Sequence, residues 1–195
     1  PHSDPGDVPY WYRQNGSFTL AMQPGFDPVK RQAVGFPYGS LPRLLLFYLT
    51  AEAIRTGDRR IRLGATYNEF LRAVGLSVHT GGGKRSDSAR LKEQARRLFN
   101  TNISFIWSEP EPGKGGKVLD SAHAPLREAR RNMNVASTVI LWWDPKMPDQ
   151  MNLWENIVEL SEEFYRAITA APVPLDTRAL RALKRSPPVS YTHLR

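Results

Sequence analysis

The stretch that most constrains the fold is Thr66–Asn100, where a capped helix, a glycine-rich turn and a strongly basic helix follow one another. Thr66-x-x-Glu69 is a capping box, in which each side chain satisfies an orphan N–H at the helix start. Phe70, Leu71 and Val74 supply the apolar stripe of that helix, and Gly75 is placed to stop it in the left-handed conformation. A second helix is expected from about Lys84–Asp87 to Asn100. At 100° per residue, Leu91, Ala95, Leu98 and Phe99 share one face with Ser88. The opposite face carries Arg85, Lys92 and Arg96 on one flank, and Arg90 and Arg97 on the other. Ser86, Ala89 and Glu93 lie between them. Small residues at the outward N-terminal centre, with cations on either side, suit a major groove between two phosphate rails. The stretch therefore reads as a helix-turn-helix with a recognition helix. The competing reading is an ordinary solvated basic face, because periodicity does not distinguish phosphate from water.

Gly81-Gly82-Gly83-Lys84 is not a nucleotide-binding loop. That motif needs glycine where Val78 stands and Ser or Thr where Arg85 stands. The glycines are expected to let backbone amides approach a DNA phosphate, or to form a mobile turn.

Charge points the same way as the helix. Among 195 residues the net charge is +8 and the isoelectric point is near 10.0, which favours a polyanionic partner, nucleic acid before membrane. The longest apolar run, Leu41–Leu49, is too short to span a bilayer. No secretory signal pattern is present, and a cytoplasmic protein is expected. The absence of cysteine removes disulfides, thiolate metal sites and cysteine nucleophiles. His2, His79, His123 and His193 are scattered without metal-ligand spacing, which argues against a metal-dependent nicking enzyme with a tyrosine nucleophile. Glu162 and Glu163 are adjacent in a helix and diverge, so helix-capping charge explains them better than catalysis. Neither an enzyme activity nor a metal or other cofactor is expected.

The rest of the chain supplies a frame. Residues 1–12 are expected to be loose, Ser17–Met22 to form a short strand, and Pro24–Gly39 to run as a long surface loop. Ser40 is expected to cap a helix over Leu41–Thr56, with Pro42 in its first turn. That helix is apolar nearly all round and belongs at the centre of a small core. Gly57-Asp58 ends it, and Arg60–Leu63 alternates as a strand. Thr101–Glu109 and Val135–Trp143 read as two further strands. The proline- and glycine-rich insert between them carries Lys114, Lys117, Arg127, Arg130 and Arg131. Strand, basic loop and strand after a helix-turn-helix make a wing, a candidate for reaching phosphates or the minor groove. A solvated hairpin loop is the plainer alternative. Trp142 and Trp143 face opposite sides of their strand, one for the core and one for an interface or a base. Asn156–Leu160 is expected as a strand, and Ser161-Glu162-Glu163 as the cap of a short helix holding Phe164, Tyr165 and Ile168.

The expected class is α+β: a winged helix-turn-helix domain with a small antiparallel sheet, plus the start of a truncated second domain. Residues 1–39 are expected to form the N-terminal loop and strand, 40–171 the winged-helix domain, and 172–195 the start of the further domain. Leu175, Leu180 and Leu183 form an apolar stripe there before Pro187-Pro188. The chain begins at Pro1, so a natural start upstream is expected, and the tail Val189–Arg195 reads as an artefact. The predicted DNA contacts are Lys84, Arg85, Ser86, Arg90, Lys92, Arg96, Arg97, Lys114 and Lys117.

Several strings resemble the RepA-type plasmid replication initiator family. They are Tyr38-Gly39-Ser40-x-Pro42-Arg43-Leu44-Leu45-Leu46, Glu52-Ala53, Arg90-Leu91-Lys92-Glu93-Gln94-x-Arg96-Arg97-Leu98-Phe99, Leu141-Trp142-Trp143 and Ala167-Ile168-x-x-Ala171-Pro172-Val173-Pro174. The resemblance covers about Phe18–Ser186. It implies an initiator built of winged-helix domains, the second of them beginning in residues 172–195, that binds repeated double-stranded sites at a plasmid origin and recruits host replication proteins. A host initiator, a helicase and a homodimer mate are the further partners to consider. A winged-helix transcriptional regulator and a winged-helix protein–protein module are the alternatives.

Overall fold

The computed structural model describes residues 1–76, 87–110, 126–141 and 156–170. Its centre is α1 (Ser40–Thr56), as its all-round apolarity demands. Leu41, Pro42, Leu45, Leu49 and Ala53 are buried, and Leu44, Leu46 and Tyr48 pack against the same core. The helix starts one residue earlier than expected. Gly39, with φ 81°, is the N-cap and makes no side-chain cap, while Ser40 is already helical. The Gly39 N–H donates to the Pro1 carbonyl at 3.0 Å, which satisfies the N-cap residue's own N–H, and the expected serine cap does not form. Gly57 closes the helix in the left-handed conformation.

After α1 come β5 (Arg60–Arg62) and α2 (Tyr67–Val74). The capping box forms, with a shift. Thr66 accepts from the Glu69 N–H at 3.1 Å, and the Glu69 carboxylate reaches one residue further back, to the Ala65 N–H at 2.9 Å. Gly75, at φ 85°, ends α2 in a conformation that costs any residue with a Cβ. α3 (Asp87–Phe99) then buries Leu91, Ala95, Leu98 and Phe99, the seam read from its periodicity. α1 packs against α2, α3 and β5, and against α4 (Glu162–Ala170) from the far end of the chain.

Among the described residues the strands form three antiparallel sheets. The largest joins β1 (Trp11–Asn15), β2 (Phe18–Gln23), β6 (Asn102–Pro110) and β7 (Leu126–Asn134) in the order β1-β2-β6-β7. A two-stranded ribbon pairs β3 (Phe26–Asp27) with β4 (Gln32–Ala33). The third sheet has the order β5-β9-β8, from β9 (Ile157–Leu160) and β8 (Ala136–Ile140). Asn156 anchors its edge by donating from Nδ2 to the Gly64 carbonyl while its own carbonyl accepts from Leu63. Ser161 joins sheet to helix: its hydroxyl donates to the Asn134 carbonyl at 2.6 Å and accepts from the Phe164 N–H at the start of α4.

Three expectations are corrected. The partner of β6 is β7, lying inside the stretch read as a basic loop, whereas β8 pairs with β9 in a different sheet. The string Leu-Arg-Glu-Ala-Arg-Arg-Asn-Met-Asn carries little strand propensity, and its ladder with β6 supplies what local preference does not. Residues 24–39 are more than a surface loop, since Val34, Phe36 and Pro37 are buried. The N-terminal segment is tied down by the Pro1 carbonyl and by Asp4, and it leads directly into β1. Residues 172–195 and Trp142 and Trp143 lie outside the described residues.

Candidate nucleic-acid interface

α3 presents two kinds of cation. Arg90 and Lys92 are exposed, projecting from the helix either side of the buried Leu91. Arg96 and Arg97 are drawn inward. Arg97 is 19% exposed at its side chain and donates to Asp4 at 3.0 Å, to Glu93 at 3.0 Å and to the Phe36 carbonyl at 3.2 Å. Its guanidinium also stands 5.3 Å from the ring centroid of Tyr38, a favourable placement over an aromatic face. Arg96 forks onto Glu93 and reaches Asp27 at 3.4 Å. Gly35 lets this cluster close: at φ 88°, an added Cβ would lie 3.1 Å from the Arg97 guanidinium carbon.

The electrostatics follow from that geometry. Burial alone would raise the Glu93 carboxyl, but hydrogen bonds from Arg96 and Arg97 outweigh it and hold the group below its usual range. Asp27 is also lowered, first by the Lys30 N–H and further by Val29 and by the charges of Lys30 and Arg96, against an opposing effect of burial. Arg97 is raised: its bonds to Glu93 and Asp4 overcome burial. Two of the cations expected to contact DNA thus serve as joints within the chain. The spacing of Glu93 to Arg96 and Arg97, i to i+3 and i+4, is the signal that sequence reading passed over. Nothing local revealed Asp4 or Asp27. Gln94 is a further joint, its side-chain oxygen accepting from the Tyr38 N–H at 2.8 Å.

Of the other predicted contacts, Lys84, Arg85 and Ser86 precede α3, and Lys114 and Lys117 fall between β6 and β7; all five lie outside the described residues. Arg130 and Arg131, read from sequence as part of the basic insert, lie on β7, both exposed, opposite Ile106 and Phe105 of β6. Adjacent residues of a strand face opposite sides of the sheet, so these two arginines serve different surfaces. No group of acidic or histidine side chains able to hold a metal occurs among the described residues. No helix of the described chain is long and apolar enough to cross a membrane.

Comparison with known proteins agrees with this architecture. The fold is similar to the crystal structure of domains 2 and 3 of RctB, with a TM-score of 0.55 and 11% identity, covering 92% of this chain and 61% of that one. A selenomethionine derivative of the same two RctB domains gives a TM-score of 0.51 at 11% identity, over 86% and 59%. The chain thus spans about three-fifths of the structures it resembles. None of the curated proteins matches it in sequence. The family model described as plasmid encoded RepA protein matches residues 36–194. That span takes in α1, α2, α3 and the strands after them, and the chain belongs to this family, the plasmid replication initiators that its motifs resemble.

Proposed function

We propose that this chain binds double-stranded DNA at repeated sites of a plasmid origin, with α3 as the recognition helix of a winged helix-turn-helix and the β6–β7 hairpin as its wing. The observation that carries the reading is α3 itself. One face is locked into the core through Leu91, Ala95 and Leu98, while Arg90 and Lys92 stand outward. A rigidly seated helix with exposed cations is what insertion into a major groove requires. The order α1, β5, α2, α3, β6, β7 supports it by placing a hairpin directly after that helix.

The cations divide by role. Lys92, with Lys84 and Arg85, meets phosphates and fixes register. Arg90 and Ser86 are the base-edge candidates, and Lys114 and Lys117 extend the contact from the hairpin. Arg96 and Arg97 act indirectly, by fixing the helix against the N-terminal segment. No catalytic step belongs to this role. Host replication proteins, an initiator and a helicase among them, and a second copy of the chain are the partners that initiation would require.

Fluorescence anisotropy with an origin-repeat duplex, titrated with salt, tests the proposal. Four to five phosphate contacts give a slope of log affinity on log salt of roughly −4. Affinity that is independent of salt, or equal for origin and random duplex, overturns it.

A further inference from the structure

The four-stranded sheet carries an aromatic surface that the duplex-binding face does not use. Directly opposed residues share a face, and residues two apart along a strand return to it. On one face the rows run Trp11, Met22, Ile103 and Met133, then Arg13, Leu20, Phe105 and Arg131, then Asn15, Phe18, Trp107 and Ala129. In the first row Met22, Ile103 and Met133 are buried in the core. In the second row Leu20 and Phe105 are part-buried and still pack against the core, and toward the third row the aromatic content rises. Phe18 and Phe105 stack with centroids 5.9 Å apart, Phe105 and Trp107 stack at 6.2 Å, and Phe18 and Trp107 tilt together at 5.6 Å.

Trp107 remains 38% exposed. Its cross-strand neighbour on β7 is Ala129, also exposed, so the small side chain leaves the indole uncrowded on that side. The middle row ends in an exposed arginine at both edges, Arg13 on β1 and Arg131 on β7. Three strand spacings of about 4.8 Å place them roughly 14 Å apart across the rings.

We propose that this face binds single-stranded nucleic acid, with bases stacked on Trp107, Phe18 and Phe105 and backbone phosphates taken by Arg13 and Arg131. Stacking needs a free base face, which a duplex hides and a single strand offers. Charge decides against a second copy as occupant. Two such faces brought together would set arginine against arginine, whereas a polyanion complements both. The site lies on the strands of the β6–β7 hairpin but shares no residue with the duplex contacts proposed on α3 and at Lys114 and Lys117 between those strands, so the two activities are separable by mutation.

The test is anisotropy of the full chain with labelled oligothymidylate, oligouridylate and duplex DNA, on the wild type, Trp107→Ala, Trp107→Phe, Arg131→Ala and Arg90→Ala/Lys92→Ala. Thermal melts of each variant report folding. Trp107→Ala is expected to weaken single-strand binding roughly 5- to 100-fold, the range for loss of one base–aromatic stack, and to leave duplex affinity within twofold. Trp107→Phe recovers most of the loss, which a merely structural role for the indole would not require. Arg131→Ala reduces the salt slope for single strands by about 0.7. Arg90→Ala/Lys92→Ala keeps single-strand binding, so failure of the duplex reading and failure of this one give different patterns. Either pyrimidine strand binding better still supports the site and identifies its nucleic acid. Wild-type affinity for single strands in folded Trp107→Ala overturns the proposal. So does a parallel loss of duplex binding, or a wild-type dimer in sedimentation that Trp107→Ala converts to monomer.

Discussion

Arg97, in the last turn of α3, donates to the carboxylate of Asp4 at 3.0 Å, across ninety-three positions of sequence. The same guanidinium binds Glu93 and the Phe36 carbonyl, so one side chain joins the N-terminal segment, the entry to α1 and the basic helix. A cation so placed is committed to folding before it meets any ligand.

Arg97→Ala is therefore expected to destabilise the protein by about 1.5–3 kcal/mol, the range for hydrogen bonds to charged groups. Urea unfolding measures it. The slope of duplex affinity on salt should remain that of the wild type wherever the variant is folded.

Arg90→Ala and Lys92→Ala should behave in the opposite way. Both side chains are exposed, and each substitution is expected to shift stability by less than about 0.5 kcal/mol. Lys92→Ala weakens all duplexes alike and lowers the salt slope by about 0.9. Arg90→Ala costs about 1–3 kcal/mol on the preferred site and relaxes one of its positions, read by binding to a panel of single-base variants.

Two phenylalanines in the segment between β2 and α1 separate core from surface. Phe36 is 1% exposed and Phe26 is 61% exposed. Phe36→Ala is expected to cost about 3–5 kcal/mol in denaturant unfolding, and Phe26→Ala less than about 0.5 kcal/mol. Equal losses would place the core elsewhere.

Stability should fall at both ends of the pH range, for separate reasons. Asp27 and Glu93 have lowered values in the fold. Their contribution is complete above the unfolded carboxyl values of about 4 and is lost as pH falls through the lower folded values. Glu93→Gln flattens that acid limb. Tyr48 is pushed up to about 12, chiefly by burial, with the nearby Glu52 carboxylate adding to it. Its contribution is complete below the unfolded value of about 10 and is lost between there and about 12, as the unfolded chain ionises first. Tyr48→Phe removes this tyrosine's part of the alkaline limb in pH-dependent thermal melts.

The helical frame was legible because its determinants are near neighbours in sequence. Thr66 and Glu69, the stops at Gly57 and Gly75, and the seam Leu91, Ala95 and Leu98 lie within one or two turns of their partners. A cap or an apolar stripe acts over those few residues wherever the helix finally docks, so periodicity and cap chemistry suffice. The same holds for Ser161, whose hydroxyl caps α4 three residues on.

The strand assignment of Leu126–Asn134 depended on β6 offering an antiparallel ladder, with Met133 the one described side chain of β7 to be buried, because so charged a string has no strand preference of its own. Phe36 joins the core cluster that α1 and α3 also supply, although its flanking prolines and glycines read as surface. The division of the α3 cations was likewise a matter of position in space. Arg90 and Lys92 kept their charge to the outside, while Arg96 and Arg97 found Asp27 and Asp4. A helix's charge pattern sets which cations it carries. Only the packing of distant carboxylates around it decides which of them are drawn inward, since an ion pair forms where charges meet in space.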